Sequence, residues 1–92
     1  MANFVTKKDG TRVPFDAGKI KAAIMAAALE AEMTEEEAGN VAETVSSMVV
    51  TSFEGQEEAA GEEVREKILS ELDVSHPLVA ESWRRYEEGK GA

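Results

Sequence analysis

The sequence predicts an α+β domain, a short N-terminal β-hairpin followed by four amphipathic helices, and three observations carry that prediction. Asp9-Gly10 stands between two runs of strand-forming residues, the strongest local signal for a hairpin. From Ile20 onward, apolar residues recur at helical spacing in successive blocks. With 92 residues, 42% of them hydrophobic, the chain can bury one core, and it has no cysteine to staple a smaller one. A single domain over residues 1–92 is expected, with the small sheet covering one end of a helical bundle.

The hairpin comes first. Strands are expected at Phe4–Lys8 and Thr11–Phe15 around a two-residue type I′ turn, which needs positive φ at both central residues. That register sets Lys8 opposite Thr11, Lys7 opposite Arg12, Thr6 opposite Val13 and Val5 opposite Pro14. Alternation then puts Val5, Lys7 and Arg12 on one face, and Phe4, Val13 and Phe15 on an apolar underside. Two cations facing each other destabilise a strand pair. An anion held between Lys7 and Arg12 would offset the repulsion; the plainer reading is a solvated, charged edge that discourages aggregation.

Asp16 is a good N-cap for a first helix whose apolar positions are Ile20, Ile24, Ala27, Ala28 and Ala31. Lys19 falls in its first turn, where the helix dipole disfavours a cation by about 0.3–1 kcal/mol and where an anion is welcome. Thr34 and Glu37 form a capping box opening a second helix, striped by Val41, Val45, Met48 and Val49 and fading near Thr51–Gly55. Gly61 marks a boundary before a third helix through Val64, Ile68 and Leu72. Ser75 is expected to cap a fourth, with Pro77 in its first turn and Val79, Trp83 and Tyr86 along its buried stripe. Met25, Met33 and Met48 read as core filling, and His76 as a surface residue.

Charge is segregated. The first 21 residues hold five of the ten cations against two acids, whereas the other 71 hold five cations and 17 acids. A chain of net charge −9 with one short basic stripe is unsuited to nucleic acid, but the stripe suits a small polyanion. No phosphate loop, Ser/His/Asp arrangement or metal-ligand cluster is present in the sequence, so catalysis is not expected. The longest apolar stretch, Ala22–Leu29, is far too short to span a membrane, and no signal-peptide core opens the chain; a cytoplasmic protein is expected.

The run Val5-Thr6-Lys7-Lys8-Asp9-Gly10-Thr11-Arg12-Val13-Pro14-Phe15-Asp16-Ala17-Gly18-Lys19-Ile20 closely resembles the opening signature of the ATP-cone domain, and the later segments follow that family's order. The resemblance implies a third strand near Gln56–Ala59, hence an ATP-cone-like four-helix bundle capped by a three-stranded sheet. It implies an adenine-nucleotide sensor with ATP or dATP as ligand, Mg2+ accompanying the triphosphate. Such modules regulate ribonucleotide reductases and occur in related regulators, so self-association or a reductase-type partner is implied as well. Val5, Lys7, Lys8, Asp16 and Lys19 stand where the family contacts nucleotide. Lys7, Lys8 and Lys19 would meet phosphates, and Asp16 the helix cap and the sugar or base. Arg12 adds a further cation, and Lys90 is a candidate to reach an incoming phosphate. The family often has an acid where Val13 stands, and some members have Thr and His where Gly61 and Arg65 stand. These departures favour the alternative, a helical protein-interaction domain that keeps the fold without sensing nucleotide. The pattern fits a complete small protein or the detached front of a reductase equally.

Overall fold

A computed structural model describes residues 4–91 of the chain, with side chains over 4–85. The order of elements is β1 (Phe4–Thr6), β2 (Arg12–Pro14), α1 (Ala17–Glu30), α2 (Glu35–Ser52), β3 (Glu58–Ala60), α3 (Gly61–Ser75) and α4 (Pro77–Gly91). The predicted α+β architecture is present: four helices and a three-stranded sheet that begins with the N-terminal hairpin. β1 is the central strand, antiparallel to β2 and parallel to β3. The parallel pairing is why β3 follows two helices, since a parallel neighbour needs a long crossover.

Local chemistry starts and stops each helix. Asp16 caps α1, its carboxylate accepting from the amides of Gly18 at 2.9 Å and Lys19 at 3.3 Å. At the far end the Met33 amide donates to the Ala28 carbonyl and the Glu32 amide to the Leu29 carbonyl, the paired bonds of a Schellman turn. That turn requires Glu32 at φ 70°, a left-handed conformation usually left to glycine. The capping box forms as expected: the Glu37 amide donates to the Thr34 hydroxyl at 3.1 Å, and the Thr34 amide to the Glu37 carboxylate at 3.2 Å. Ser75, however, is not the cap of α4. Pro77 is the first helical residue, so the cap position falls on His76, whose carbonyl accepts from Val79 and Ala80. The Ser75 hydroxyl instead donates back to the Glu71 carbonyl at 2.8 Å.

The core draws on every helix. Ile24, Ala28, Val45, Val49, Leu72 and Val79 are almost wholly buried, with Phe53, Ile68 and Trp83 around them. Ala27 and Ala28 on α1 face a partner helix that itself buries Ala38 and Ala42, small residues that permit close helix packing. Phe15 stacks obliquely on Phe53, ring centroids 6.4 Å apart, tying the chain after β2 to the end of α2. Met48, expected in the core, is 44% exposed. Val41, Val45 and Val49 already fill the inward stripe at steps of four, which turns Met48 to the rim.

The hairpin register differs from the expected one. Phe4 pairs with Pro14, Val5 with Val13 and Thr6 with Arg12. The loop therefore has three residues, Lys8-Asp9-Gly10. The Gly10 amide donates to the Lys7 carbonyl at 3.0 Å, and Gly10 takes φ 87°, a tight turn closed by a left-handed glycine. The Lys7 amide donates to the Thr11 carbonyl at 2.8 Å across its neck, and the Asp9 carboxylate accepts from the Thr11 amide at 2.9 Å. The slip by one residue exchanges faces. Val5 and Val13 now lie together on the core side with the buried Ala59 of β3, while Phe4 and Arg12 lie outside. The strands are also shorter than expected, and β3 begins at Glu58 rather than Gln56.

Candidate functional site

Three elements meet at the sheet end of the bundle: the hairpin, the start of α1 and the start of α3. Because β3 pairs with β1 and runs straight into α3, the first turn of α3 lies beneath the hairpin. A Cβ built on Gly61 would sit 3.6 Å from the Thr6 carbonyl oxygen and 3.6 Å from Val5 Cγ1. Ala60 precedes α3 without any side-chain cap bond, so the leading amides of this helix have no side-chain acceptor at the N-cap. The opposite holds at α1, where the Asp16 carboxylate already occupies the leading amides. The open helix start near the hairpin therefore belongs to α3, where the sequence departs from the family at Gly61 and Arg65.

The cations of this end divide into two kinds. Lys8 pairs with Glu62 of α3 at 3.1 Å, and Lys21 with Glu43 of α2 at 3.2 Å. Arg12 lies on the outer face of the sheet. Its Nε is 2.9 Å from the Glu58 carboxylate, which also accepts from the Thr6 hydroxyl, and its guanidinium stands 5.8 Å from the Phe4 ring centroid. Lys7 and Lys19, in contrast, make no ion pair among the described residues. Lys7 continues the core-side face of Val5 just beyond the strand, and Lys19 is exposed in the first turn of α1. The expected cluster of Lys7 facing Arg12 is thus not formed, because the three-residue loop sends these two side chains to opposite faces. Lys7, Lys8 and Val5 remain on or near the turn that covers α3. Asp16 serves as the α1 cap. The side chain of Lys90 lies outside the described residues, as does that of Tyr86.

Beside Glu62 a cleft of about 290 Å3 opens between α3 and α4, lined by Glu62, Arg65, Glu66, Leu69 and Trp83. It adjoins the hairpin through the Lys8–Glu62 pair. Trp83 is 5% exposed, and its indole N–H has no acceptor among the described residues. A buried donor without a partner is costly, about 1–3 kcal/mol; the indole itself gives the cleft an aromatic wall. The sequence reading places Trp83 on a buried stripe and Arg65 at a family departure, but their meeting across α3 and α4 depends on tertiary packing. No group of three or more His, Cys, Asp or Glu that could hold a metal occurs among the described residues. No helix among them is long and apolar enough to cross a membrane.

The carboxylates that organise the hairpin are acid-sensitive. The Thr6 hydroxyl, and behind it the Arg12 guanidinium, hold Glu58 below its ordinary value. The Thr11 amide and hydroxyl do the same for Asp9, with Lys7 assisting. A carboxyl whose folded pKa lies below its unfolded pKa adds stability above the unfolded value. That contribution is lost as pH falls through the folded one. Acidification below the usual carboxylate range should therefore loosen the β1–β2–β3 contacts before the helical core melts. Amide resonances of Val5, Val13 and Ala59 should move at a higher pH than those of Val45 and Leu72. A single transition shared by strands and helices would show that these two carboxylates do not control the hairpin.

A comparison with curated proteins returns no match. The family model described as ATP cone domain matches residues 3–90, nearly the whole chain. The described architecture, a hairpin-led three-stranded sheet on four helices, agrees with it. The chain belongs to the ATP-cone domain family.

Proposed function

We propose that this domain binds ATP or dATP at its sheet end and transmits occupancy to a partner or to a second copy of itself. ATP-cone domains are nucleotide-binding regulatory modules rather than catalysts, and this membership supports the general role. The observation that carries the specific site is the pair of unmatched cations. Lys7 and Lys19 hold no ion pair among the described residues, whereas Lys8, Lys21 and Arg12 are each matched by a carboxylate. In this reading Lys7 and Lys19 take the phosphates, and Lys8 joins them by exchanging Glu62 for a phosphate oxygen. Val5 and the α3 start form the floor, Asp16 keeps the α1 cap within reach of the sugar, and Lys90 is a further candidate for a phosphate. The base enters the cleft beside Trp83. A divalent ion arriving with the triphosphate is held by phosphate oxygens and water.

Regulation follows from bridging. A nucleotide spanning the hairpin, α1 and α3 would bridge elements that make few direct contacts with one another at this end, and it would neutralise the unpaired lysines. Coupling to association needs a difference in affinity between two states of about 1–3 kcal/mol. A reductase-type enzyme is the partner class that the family suggests. The reading in which the domain interacts with proteins but no longer senses nucleotide is favoured by Val13, Gly61 and Arg65 at positions where relatives place polar contacts.

Thermal melting with ATP, dATP, ADP and GTP separates the two. At a 100-fold excess over its dissociation constant a ligand stabilises by about 2.7 kcal/mol, which in a domain of this size raises Tm by roughly 10–20 °C. An upward shift with ATP or dATP is expected, along with a change in Trp83 fluorescence, since this is the sole tryptophan. No shift with any of the four nucleotides would leave the interaction-domain reading.

A further inference from the structure

The end of the bundle away from the sheet carries a second feature. α1 and α3 finish there, and α2 and α4 begin. Five large apolar side chains are exposed among the described residues, and three of them belong to this end: Leu29, 41% exposed, Leu78, 69%, and Val74, 84%. Beside Leu78 a cleft of about 340 Å3 runs between the end of α1 and the start of α4, edged by Glu30, Glu32 and Glu81. Residues 29–37 contain five acids and no cation. The last turns of α1 and α3 carry no basic residue, and the positive dipole ends offered at the starts of α2 and α4 are met by Glu35, Glu36 and Glu37 at α2. Arg84 pairs with Asp73 at 2.6 Å; Arg85 also lines the cleft, donating to the Ser82 hydroxyl at 3.2 Å, so three carboxylates there face one cation.

Exposed apolar anchors beside a cleft with carboxylates in excess define their occupant by complementarity. We propose that this tip docks a basic amphipathic helix of a partner protein, its apolar face on Leu78 and Leu29 and its Lys or Arg residues on Glu30, Glu32 and Glu81. A second copy is a poorer fit. A two-fold contact would set acidic tip against acidic tip, in a chain of net charge −9. A head-to-tail contact would draw on Lys7 and Lys19, the cations that the nucleotide reading assigns to phosphate, since Lys8 and Arg12 are already paired. The site deepens the regulatory reading by supplying the partner-facing surface at the end opposite the nucleotide. It is tested without nucleotide, so its failure leaves nucleotide binding untouched.

The probe is a fluorescently labelled 14-residue peptide of alternating Leu and Lys blocks with helical periodicity, titrated by anisotropy. Saturable one-to-one binding is expected. Leu78→Ser should weaken it about tenfold, and Glu30→Gln with Glu81→Gln about as much. Glu57→Gln with Glu63→Gln removes the same charge near the sheet and should leave affinity within about twofold. Glu32→Gly is the variant that excludes misfolding, because glycine suits the left-handed position. It should raise Tm slightly while weakening the peptide severalfold. Equal losses from the two double variants would mean diffuse attraction to an acidic protein and overturn the site, as would normal binding by Leu78→Ser. Concentration-dependent sedimentation of the protein alone, abolished by Leu78→Ser, would assign the tip to a second copy and overturn the basic-helix assignment.

Discussion

Leu72→Ala should destabilise the domain by about 2–5 kcal/mol, the usual range for emptying a fully buried leucine site. A domain of this length has about 5–14 kcal/mol in total, so this one change removes a large fraction of it. Leu72 is 0% exposed and belongs to the cluster that joins Ile24 of α1, Val45 and Val49 of α2, Ile68 of α3 and Val79 of α4. No single helix can close over the cavity without moving against its neighbours, since each contributes to the same contact. Urea denaturation followed by helical signal gives the measurement. Met48→Ala is the internal control: this side chain is 44% exposed on α2, and its loss should stay below about 1 kcal/mol. A Leu72 loss no larger than the Met48 loss would mean that the four helices do not share one packed core.

The helices were legible because several local signals agreed at each boundary. Asp16, the Thr34–Glu37 box, Gly61 and Pro77 all mark helix starts by mechanisms that act within one turn, and the period of the valines on α2 points the same way. Ser75 was misread because serine is the better cap by type, while Pro77 settles the matter by geometry: a proline in the first helical position makes its predecessor the cap. β3 was hardly legible, since Glu58-Ala59-Ala60 has weak strand propensity and owes its conformation to the free edge of β1. The hairpin register was within reach. Asp-Gly serves both two- and three-residue loops, so the turn alone does not choose. The two valines do. Only the three-residue loop sets Val5 against Val13 on the buried face; the shorter one turns Val5 outward and opposes Val13 to Thr6. Reading the core before the turn would have kept Lys7 and Arg12 apart.

That correction shapes the expected effects at the nucleotide site. Lys7→Ala and Lys19→Ala should each weaken ATP or dATP binding by about 1.5–3 kcal/mol, the range of a charge-assisted hydrogen bond, which is roughly 10- to 150-fold. Neither should harm folding. Lys7 holds no ion pair among the described residues and adds to the Asp9 carboxylate less than the Thr11 hydrogen bonds do, and removing Lys19 relieves an unfavourable dipole contact of about 0.3–1 kcal/mol. Arg12→Ala should behave in the opposite way. It deprives Glu58 of its cation on the outer face of the sheet, so the hairpin should detach more readily, while affinity measured below the melting range changes by no more than about twofold. Calorimetric titration of the three variants, with amide spectra to follow the strands, separates phosphate contact from sheet support. Normal binding by both lysine variants would remove the phosphate assignment. An Arg12→Ala loss as large as that of Lys7→Ala, with the strands still paired, would mean that the ligand reaches around the hairpin. Glu58 would then have to release Arg12 on binding, and the ion pair would act as a latch on the site rather than a brace for the sheet.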